Sequence, residues 1–201
     1  MATTRISSPL PWLKPAVLFG ALVPLVVMIE RGLHGDLGAN PIGEALNKLG
    51  LLALIFIVAA LACSPLKVFF GWTWPLRIRR ILGVLGFAYA ALHVLTYSGL
   101  DQAFDWPAIY TDVTKRKFIF VGFAAFVTLI PLAVTSTNAA VKRMGFTRWK
   151  QLHRLAYVAP TFAVVHFIWR VKKDLREPLM YGAVLATLLF IRAIAATRSR
   201  R

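Results

Sequence analysis

Long apolar runs alternate with short polar connections along the whole chain. The runs are 15 to 19 residues long and lie at 15–29, 45–63, 81–98, 118–136, 153–169 and 178–196. An α-helix needs about 20 apolar residues to cross roughly 30 Å of hydrocarbon. The pattern therefore predicts an all-α integral membrane bundle of about six transmembrane helices, forming a single domain over residues 1–201. Five runs follow the first and no small-residue cleavage site is evident, so we interpret the first as a span rather than a signal peptide.

The basic residues predict the orientation of the bundle. The N-terminus, the connections 64–80 and 137–152 with Arg154, and the C-terminal tail together carry 15 of the 24 Lys and Arg residues. The positive-inside rule therefore places both termini in the cytoplasm. The 8 acidic residues all fall on the opposite side, which supports the segmentation: Glu30, Asp36, Glu44, Asp101, Asp105, Asp112, Asp174 and Glu177.

Composition narrows the classes of function. Apolar residues make up 58% of the chain, against about 45–50% in soluble domains. A net charge of +16 would indicate nucleic-acid binding in a soluble protein, but here the basic clusters separate apolar runs, so we expect no nucleic-acid partner. Cys63 is the single cysteine, which excludes an intramolecular disulfide and a cysteine-bound iron–sulfur cluster; we interpret it as a packing residue. Phosphate-binding and nucleophile-elbow motifs are absent, so any chemistry lies inside the bundle or on a partner.

The 4 histidines are the candidates for a metal site. His93 lies in the third apolar run, His153 begins the fifth, and His166 lies near the outer end of that fifth run. An ionisable side chain within a membrane span is costly and is a functional candidate by default. His34 falls in the first outside connection, where we expect a solvated loop residue.

Spacing predicts which histidines pair. His153 and His166 are 13 residues apart, about 19.5 Å along a helix, whereas two axial ligands of one iron lie only about 4 Å apart. The third and fifth spans run in the same direction, with His93 13 residues after Arg80 and His166 12 residues after Arg154. We therefore predict that His93 and His166 clamp one b-type haem in the outer half of the membrane, and that His153 serves a second cofactor near the cytoplasmic face.

Two weaker features accompany this pair. Gly86 precedes His93 by two helical turns on the same face, where it would allow either close approach of a flat macrocycle or small-residue packing between helices. Arg79, Arg80 and Arg154 would serve either as partners of haem propionates or as topology anchors.

The chain resembles a known family at these same residues. The matching stretches are GDLGANPIGEALNKLGLLALIFIVAALACSPLK, RRILGVLGFAYAALHVLTY, LAVTSTNAAVKRMGFTRWKQLHRLAYV and HFIWRVKKDLREPLMYG, which cover much of 35–182. They are similar to MsrQ (formerly YedZ), the haem-binding membrane subunit of the protein-methionine-sulfoxide reductase system, within the wider ferric-reductase-like transmembrane group. The resemblance implies that His93, His153 and His166 are haem ligands.

The resemblance also implies a function and its partners. Such proteins sit in the bacterial inner membrane, carry one or two b-type haems and take electrons from the quinone pool or from a cytoplasmic flavin reductase. They pass these electrons to a soluble, periplasmic, molybdenum-containing methionine-sulfoxide reductase that repairs oxidised proteins. A bound flavin mononucleotide (FMN) is also associated with the family. On this interpretation the chain is an electron-transfer subunit, and catalysis on the substrate takes place on the partner.

Two alternatives remain at this stage. A stand-alone ferric-reductase-like transmembrane cytochrome would need a fused flavin and nicotinamide domain, and usually two histidines on the third span, where this chain has only His93. A proton-relay transporter with histidines at the midplane would be expected to carry a membrane-embedded carboxylate, which the predicted spans lack.

Overall fold

The computed structural model describes residues 10–198, and over these residues the regular structure is entirely helical. The helices are α1 (Leu13–Leu33), α2 (Pro41–Phe70), α3 (Trp74–Leu95), α4 (Trp106–Lys115), α5 (Lys117–Val134), α6 (Asn138–Met144), α7 (Phe146–Leu152), α8 (Leu155–Arg170) and α9 (Arg176–Arg198). A π-helical segment, Thr96–Asp101, continues α3. The predicted all-α membrane fold is confirmed.

Five of these helices are long and apolar enough to cross a membrane: α1, α2, α3 with its π-helical continuation, α5 and α9. The fifth predicted segment, 153–169, corresponds to α8, which has 16 residues and extends about 24 Å at 1.5 Å per residue. That length is short of a full hydrocarbon thickness. The count of six crossings and the cytoplasmic position of both termini therefore stay predictions.

Most of the predicted connection 64–80 is helical. Helix α2 continues through the buried Pro65 to Phe70, and α3 begins at Trp74. Between them Gly71 adopts a left-handed conformation with φ of 68°, which glycine tolerates without steric cost. The predicted runs stop before Ser64-Pro65 and begin again after Arg80, because only the apolar parts were counted, whereas Lys and Arg are good helix formers and extend a helix beyond its apolar part.

The other two long connections also contain helices. The π-helical segment and α4 occupy most of 99–117, and α4 is capped by the Asp105 carboxylate, which accepts from the Ala108 amide over 3.0 Å. The short helices α6 and α7 occupy most of 137–152. Because α6 and α7 have only 7 residues each, neither competes with the spans as a membrane crossing.

The bundle is organised around two closely packed helix pairs. Helix α2 packs along α3, α5 packs along α8, and α3 joins the two pairs through its contact with α5. Leu54, Leu61 and Val164 form part of one buried cluster shared by α2, α8 and α9. Many apolar side chains remain exposed on the outside, such as Phe19 on α1 and Phe190 on α9, as expected for helices whose outer faces contact lipid.

Charge distinguishes the two ends of the bundle. We call one the acidic end, because all 8 acidic residues lie there, at the end of α1, the start of α2, the end of the α3 span, in and before α4, and around the start of α9. The opposite end, which contains Lys67, Arg79, Arg80 and the basic residues of α6 and α7, we call the basic end. The three ion pairs of the described residues all lie at the acidic end.

Gly86 lies where α3 crosses α2. A Cβ atom at this position would lie 2.6 Å from Ile57 Cγ1 and 3.3 Å from the Ala53 carbonyl oxygen. A real Cβ does not approach another carbon this closely, so Gly86 permits the close approach of the two helices. This contact favours the packing interpretation of Gly86.

The Gly86→Ala variant is therefore expected to be less stable than wild type by about 1–3 kcal/mol, the usual cost of overpacking a tight core. Thermal unfolding in detergent, followed by loss of the monodisperse peak, measures the effect. Gly83→Ala is the matched control on the same helix, because a Cβ at Gly83 has nothing within 4 Å. Equal melting temperatures for the two variants would contradict the packing role of Gly86.

Candidate functional site

The ring of His93, a residue of α3, is held in place by a hydrogen bond to the neighbouring helix α2. Its Nδ1 lies 2.9 Å from the carbonyl oxygen of Leu46. A carbonyl oxygen can only accept, so Nδ1 carries the proton and Nε2 carries a free lone pair. This is the tautomer that binds a metal through Nε2.

His166 repeats this arrangement on the second helix pair. Its Nδ1 lies 2.7 Å from the carbonyl oxygen of Phe118, so α5 anchors a ring carried by α8. By the same reasoning Nδ1 donates and Nε2 is left with a lone pair. An anchoring hydrogen bond of this type fixes the orientation of a ligand histidine and raises its basicity.

The structure brings these two half-buried rings together. Their centroids are 6.3 Å apart and their planes meet at 83°. Two metal–nitrogen bonds of about 2.0 Å, plus about 1.1 Å from each Nε2 to its ring centre, require a separation of about 6.2 Å. His93 and His166 therefore fit a pair of axial ligands on one iron. Among the described residues no group of three His, Cys, Asp or Glu side chains converges on a metal-sized site.

A glycine faces each of these rings from the anchoring helix. A Cβ on Gly50 would lie 3.2 Å from His93 Nδ1, and a Cβ on Gly122 would lie 2.6 Å from His166 Nδ1. The first distance is tight and the second is too short for any real side chain. Each glycine therefore leaves the space that its histidine occupies.

Sequence reasoning missed these two glycines and the two carbonyl groups beside them. The spacing is the same on both helices, since Gly50 follows Leu46 by four residues and Gly122 follows Phe118 by four. Four residues are about one helical turn, so glycine and carbonyl lie on one face. The repeated spacing was a signal in the sequence, but it has meaning only once the helix that each histidine faces is known.

His153 lies away from this pair, at the basic end. It follows α7 directly and precedes α8, so it stands outside the helix that carries His166. Its ring stacks on Trp149 with centroids 3.9 Å apart, and its Nε2 lies 3.0 Å from the Thr135 hydroxyl oxygen. The structure brings no second histidine to His153.

The remaining candidates have ordinary environments. His34 is exposed, as expected for a loop residue, and its Nδ1 lies 3.1 Å from the Glu30 carbonyl oxygen. Cys63 is buried in a cluster of apolar residues and its Sγ lies 3.2 Å from the Ala59 carbonyl oxygen, in agreement with a packing role. Arg80 donates to the side chain of Asn138 over 2.6 Å, tying α3 to α6.

A cavity opens at the acidic end beside the histidine pair. Its volume is about 460 Å³, and residues from α2, α8 and α9 line it. Phe167, which follows His166, forms part of the wall, as do Lys48 and Leu51 on either side of Gly50. Charges of both signs surround the opening: Glu44, Lys48, Arg170, Asp174, Arg176 and Glu177.

Comparison with protein families gives the class of the chain. Residues 45–164 match the model of the ferric reductase like transmembrane component family. The matched region runs from the start of the first anchoring helix, α2, to the middle of α8, and it contains His93 and His153. The fold and this match thus define a ferric-reductase-like transmembrane protein.

Curated relatives narrow the assignment further. A protein of Rhodospirillum rubrum is 50% identical over 92% of this chain and 89% of its own length, and one of Deinococcus radiodurans is 45% identical over 98% and 97%. A protein of Herminiimonas arsenicoxydans is 41% identical over 100% and 93%. All three are named protein-methionine-sulfoxide reductase haem-binding subunit MsrQ. The chain belongs to the MsrQ family. No solved structure matches it.

Proposed function

We propose that this chain is a b-type haem electron-transfer subunit that supplies a periplasmic methionine-sulfoxide reductase, the enzyme that repairs oxidised proteins. The observation that carries the proposal is the 6.3 Å separation of the His93 and His166 rings, which suits two axial ligands of one iron. Further support comes from the relatives, whose names describe a haem-binding subunit of that reductase system.

The mechanism assigned to the chain is to hold and tune the haem. When bound, haem iron supplies reversible one-electron transfer. His93 and His166 would hold the haem through their two Nε2 atoms, and with both imidazoles bound the iron would have no free site for oxygen, which suits electron transfer. The carbonyl groups of Leu46 and Phe118 keep Nδ1 protonated on each ring, and so keep both Nε2 lone pairs available to the iron.

The same proposal gives the bundle an orientation in the bacterial inner membrane. The positive-inside rule places the basic end in the cytoplasm and the acidic end in the periplasm. Helix α5 ends at the basic end and α9 begins at the acidic end, so the chain has to return across the membrane between them. We assign that crossing to α8 despite its 16 residues, which gives six crossings and two cytoplasmic termini.

We assign electron entry to the basic end and exit to the acidic end. On the basis of the family resemblance, we propose the quinone pool or a cytoplasmic flavin reductase as the electron donor. We also propose FMN as an additional cofactor and a second haem with His153 as one ligand. Ligation through Nε2 of His153 requires that nitrogen to give up its contact with Thr135. At the other end, the mixed charges around the cavity beside Phe167 would give the molybdenum-containing partner an electrostatically complementary docking surface.

Reconstitution with the partner tests this function. We expect the purified, dithionite-reduced protein to be reoxidised only when both the methionine-sulfoxide reductase subunit and a methionine-sulfoxide substrate are present. Loss of the haem α band measures the reoxidation. The partner without substrate, and substrate without partner, are the controls. Haem that stays reduced in the complete mixture would contradict the proposal. Equally fast reoxidation by ferric chelates alone would favour the stand-alone ferric reductase.

A further inference from the structure

Two guanidinium groups converge on one hydroxyl at the basic end of the bundle. Arg192 Nη2 on α9 donates to Ser64 Oγ on α2 over 2.9 Å, and Arg79 Nη1 on α3 donates to the same oxygen over 3.3 Å. The three residues come from three different helices and are separated by up to 128 positions. Two like charges approach each other here around a neutral acceptor.

Arg192 also carries a polar atom that has no partner. Its Nη1 is buried and makes no hydrogen bond within the described part of the chain. The Tyr157 ring covers the guanidinium, with its centroid 5.0 Å from Cζ, so Nη1 is shielded on that side. Leaving a buried charged donor unpaired is costly, which indicates an acceptor outside the described residues.

The acidic residues of the chain do not neutralise this cluster. All 8 of them lie at the acidic end, on the far side of the bundle from Arg79 and Arg192. Ser64 lies six residues before the end of α2, and Arg192 lies six residues before the end of α9. Six residues are about 9 Å of helix, so the cluster lies near the basic end of both helices.

We propose that Arg79, Arg192 and Ser64 form an oxyanion site for a phosphate group at the basic end. Guanidinium groups match phosphate oxygens through paired N–H donors, and Arg192 Nη1 is a donor that remains to be used. The phosphate belongs either to an anionic lipid headgroup or to a soluble phosphate ester. The two sources share this chemistry and differ in whether an acyl chain is needed. The site is separate from the His93–His166 pair.

Lipid binding by the purified, delipidated protein tests the proposal. Native mass spectrometry during titration with phosphatidylglycerol gives the apparent affinity of the first bound lipid. We expect Arg192→Gln to weaken this binding on the order of tenfold, the loss expected for a charge-assisted hydrogen bond. Lys67→Gln is the matched control, since Lys67 is exposed on α2 at the same end and the change also removes one positive charge. Equal affinities for wild type and Arg192→Gln would overturn the proposal.

A second arm identifies the source of the phosphate. If millimolar inorganic phosphate displaces the bound phosphatidylglycerol, the site accepts a soluble phosphate ester. If it does not, the site requires a lipid, and either result supports the oxyanion site. Should Arg192→Gln fail to fold, Arg79→Gln and Ser64→Ala replace it, each expected to weaken lipid binding severalfold. Wild-type affinity in both of these variants would also overturn the proposal.

Discussion

The His166→Ala variant is expected to purify with one haem fewer per chain than the wild-type protein. The substitution removes one of the two imidazoles that stand 6.3 Å apart, and with it one of the two axial bonds that hold a bis-histidine haem. His93→Ala should have the same effect for the same reason. The pyridine haemochromogen assay, divided by protein concentration, measures the haem content, and the reduced α band reports the low-spin state.

His34→Ala is the matched control for this loss. His34 is exposed in the first connection and makes no contact with the paired rings, so its haem content should equal that of wild type. Any haem held through His153 should remain in His166→Ala, which separates the two sites in one preparation. Wild-type haem content in both His93→Ala and His166→Ala would defeat the proposed pairing.

The proximity of His93 and His166 could be predicted from the sequence because helix geometry is regular. Two spans that run in the same direction advance 1.5 Å per residue, so residues 13 and 12 positions past a basic anchor reach similar depth. Counting residues from the basic anchors predicted the pair that the structure brings together. The count says nothing of helix rotation, and it therefore could not place the rings face to face; their role as haem ligands stays a prediction.

The ends of the helices were harder to predict from the sequence. Loss of apolar character bounded the predicted runs, but α2 and α3 both continue into the 64–80 region and leave only three residues between them. A hydropathy pattern reports which residues can lie in hydrocarbon, whereas helix formation depends on backbone hydrogen bonds that persist in water beyond the membrane. The region around His153 differs in another way, since His153 lies between the separate helices α7 and α8.

The anchoring contacts of the site could not be predicted from the sequence at all. Leu46 and Phe118 act through backbone carbonyl oxygens, so their side chains carry no sign of the role. Gly50 and Gly122 act by lacking a side chain, and a glycine in a membrane helix is equally typical of plain helix packing. Only the packing of α3 on α2 and of α8 on α5 assigns these four residues to the histidines.

The glycine at 122 offers the sharpest test of that anchoring. In Gly122→Ala the new Cβ would lie 2.6 Å from His166 Nδ1, so the ring has to move away and lose its 2.7 Å hydrogen bond to Phe118. Loss of such an outer contact typically weakens metal binding by roughly 10–100-fold. A less basic imidazole also stabilises ferric iron less, so the reduction potential of the haem should rise.

Haem transfer to apomyoglobin and a redox titration measure these two effects of Gly122→Ala. Gly20→Ala is the control, because a Cβ at Gly20 has nothing within 4 Å and the residue lies on α1, away from the site. Gly50→Ala should fall between them, since its Cβ would stand 3.2 Å from His93 and a small shift of the ring relieves it. If Gly122→Ala keeps both the haem affinity and the potential of Gly20→Ala, the carbonyl of Phe118 does not tune the ligand. A rise in potential without loss of haem would instead assign that hydrogen bond to tuning rather than to retention.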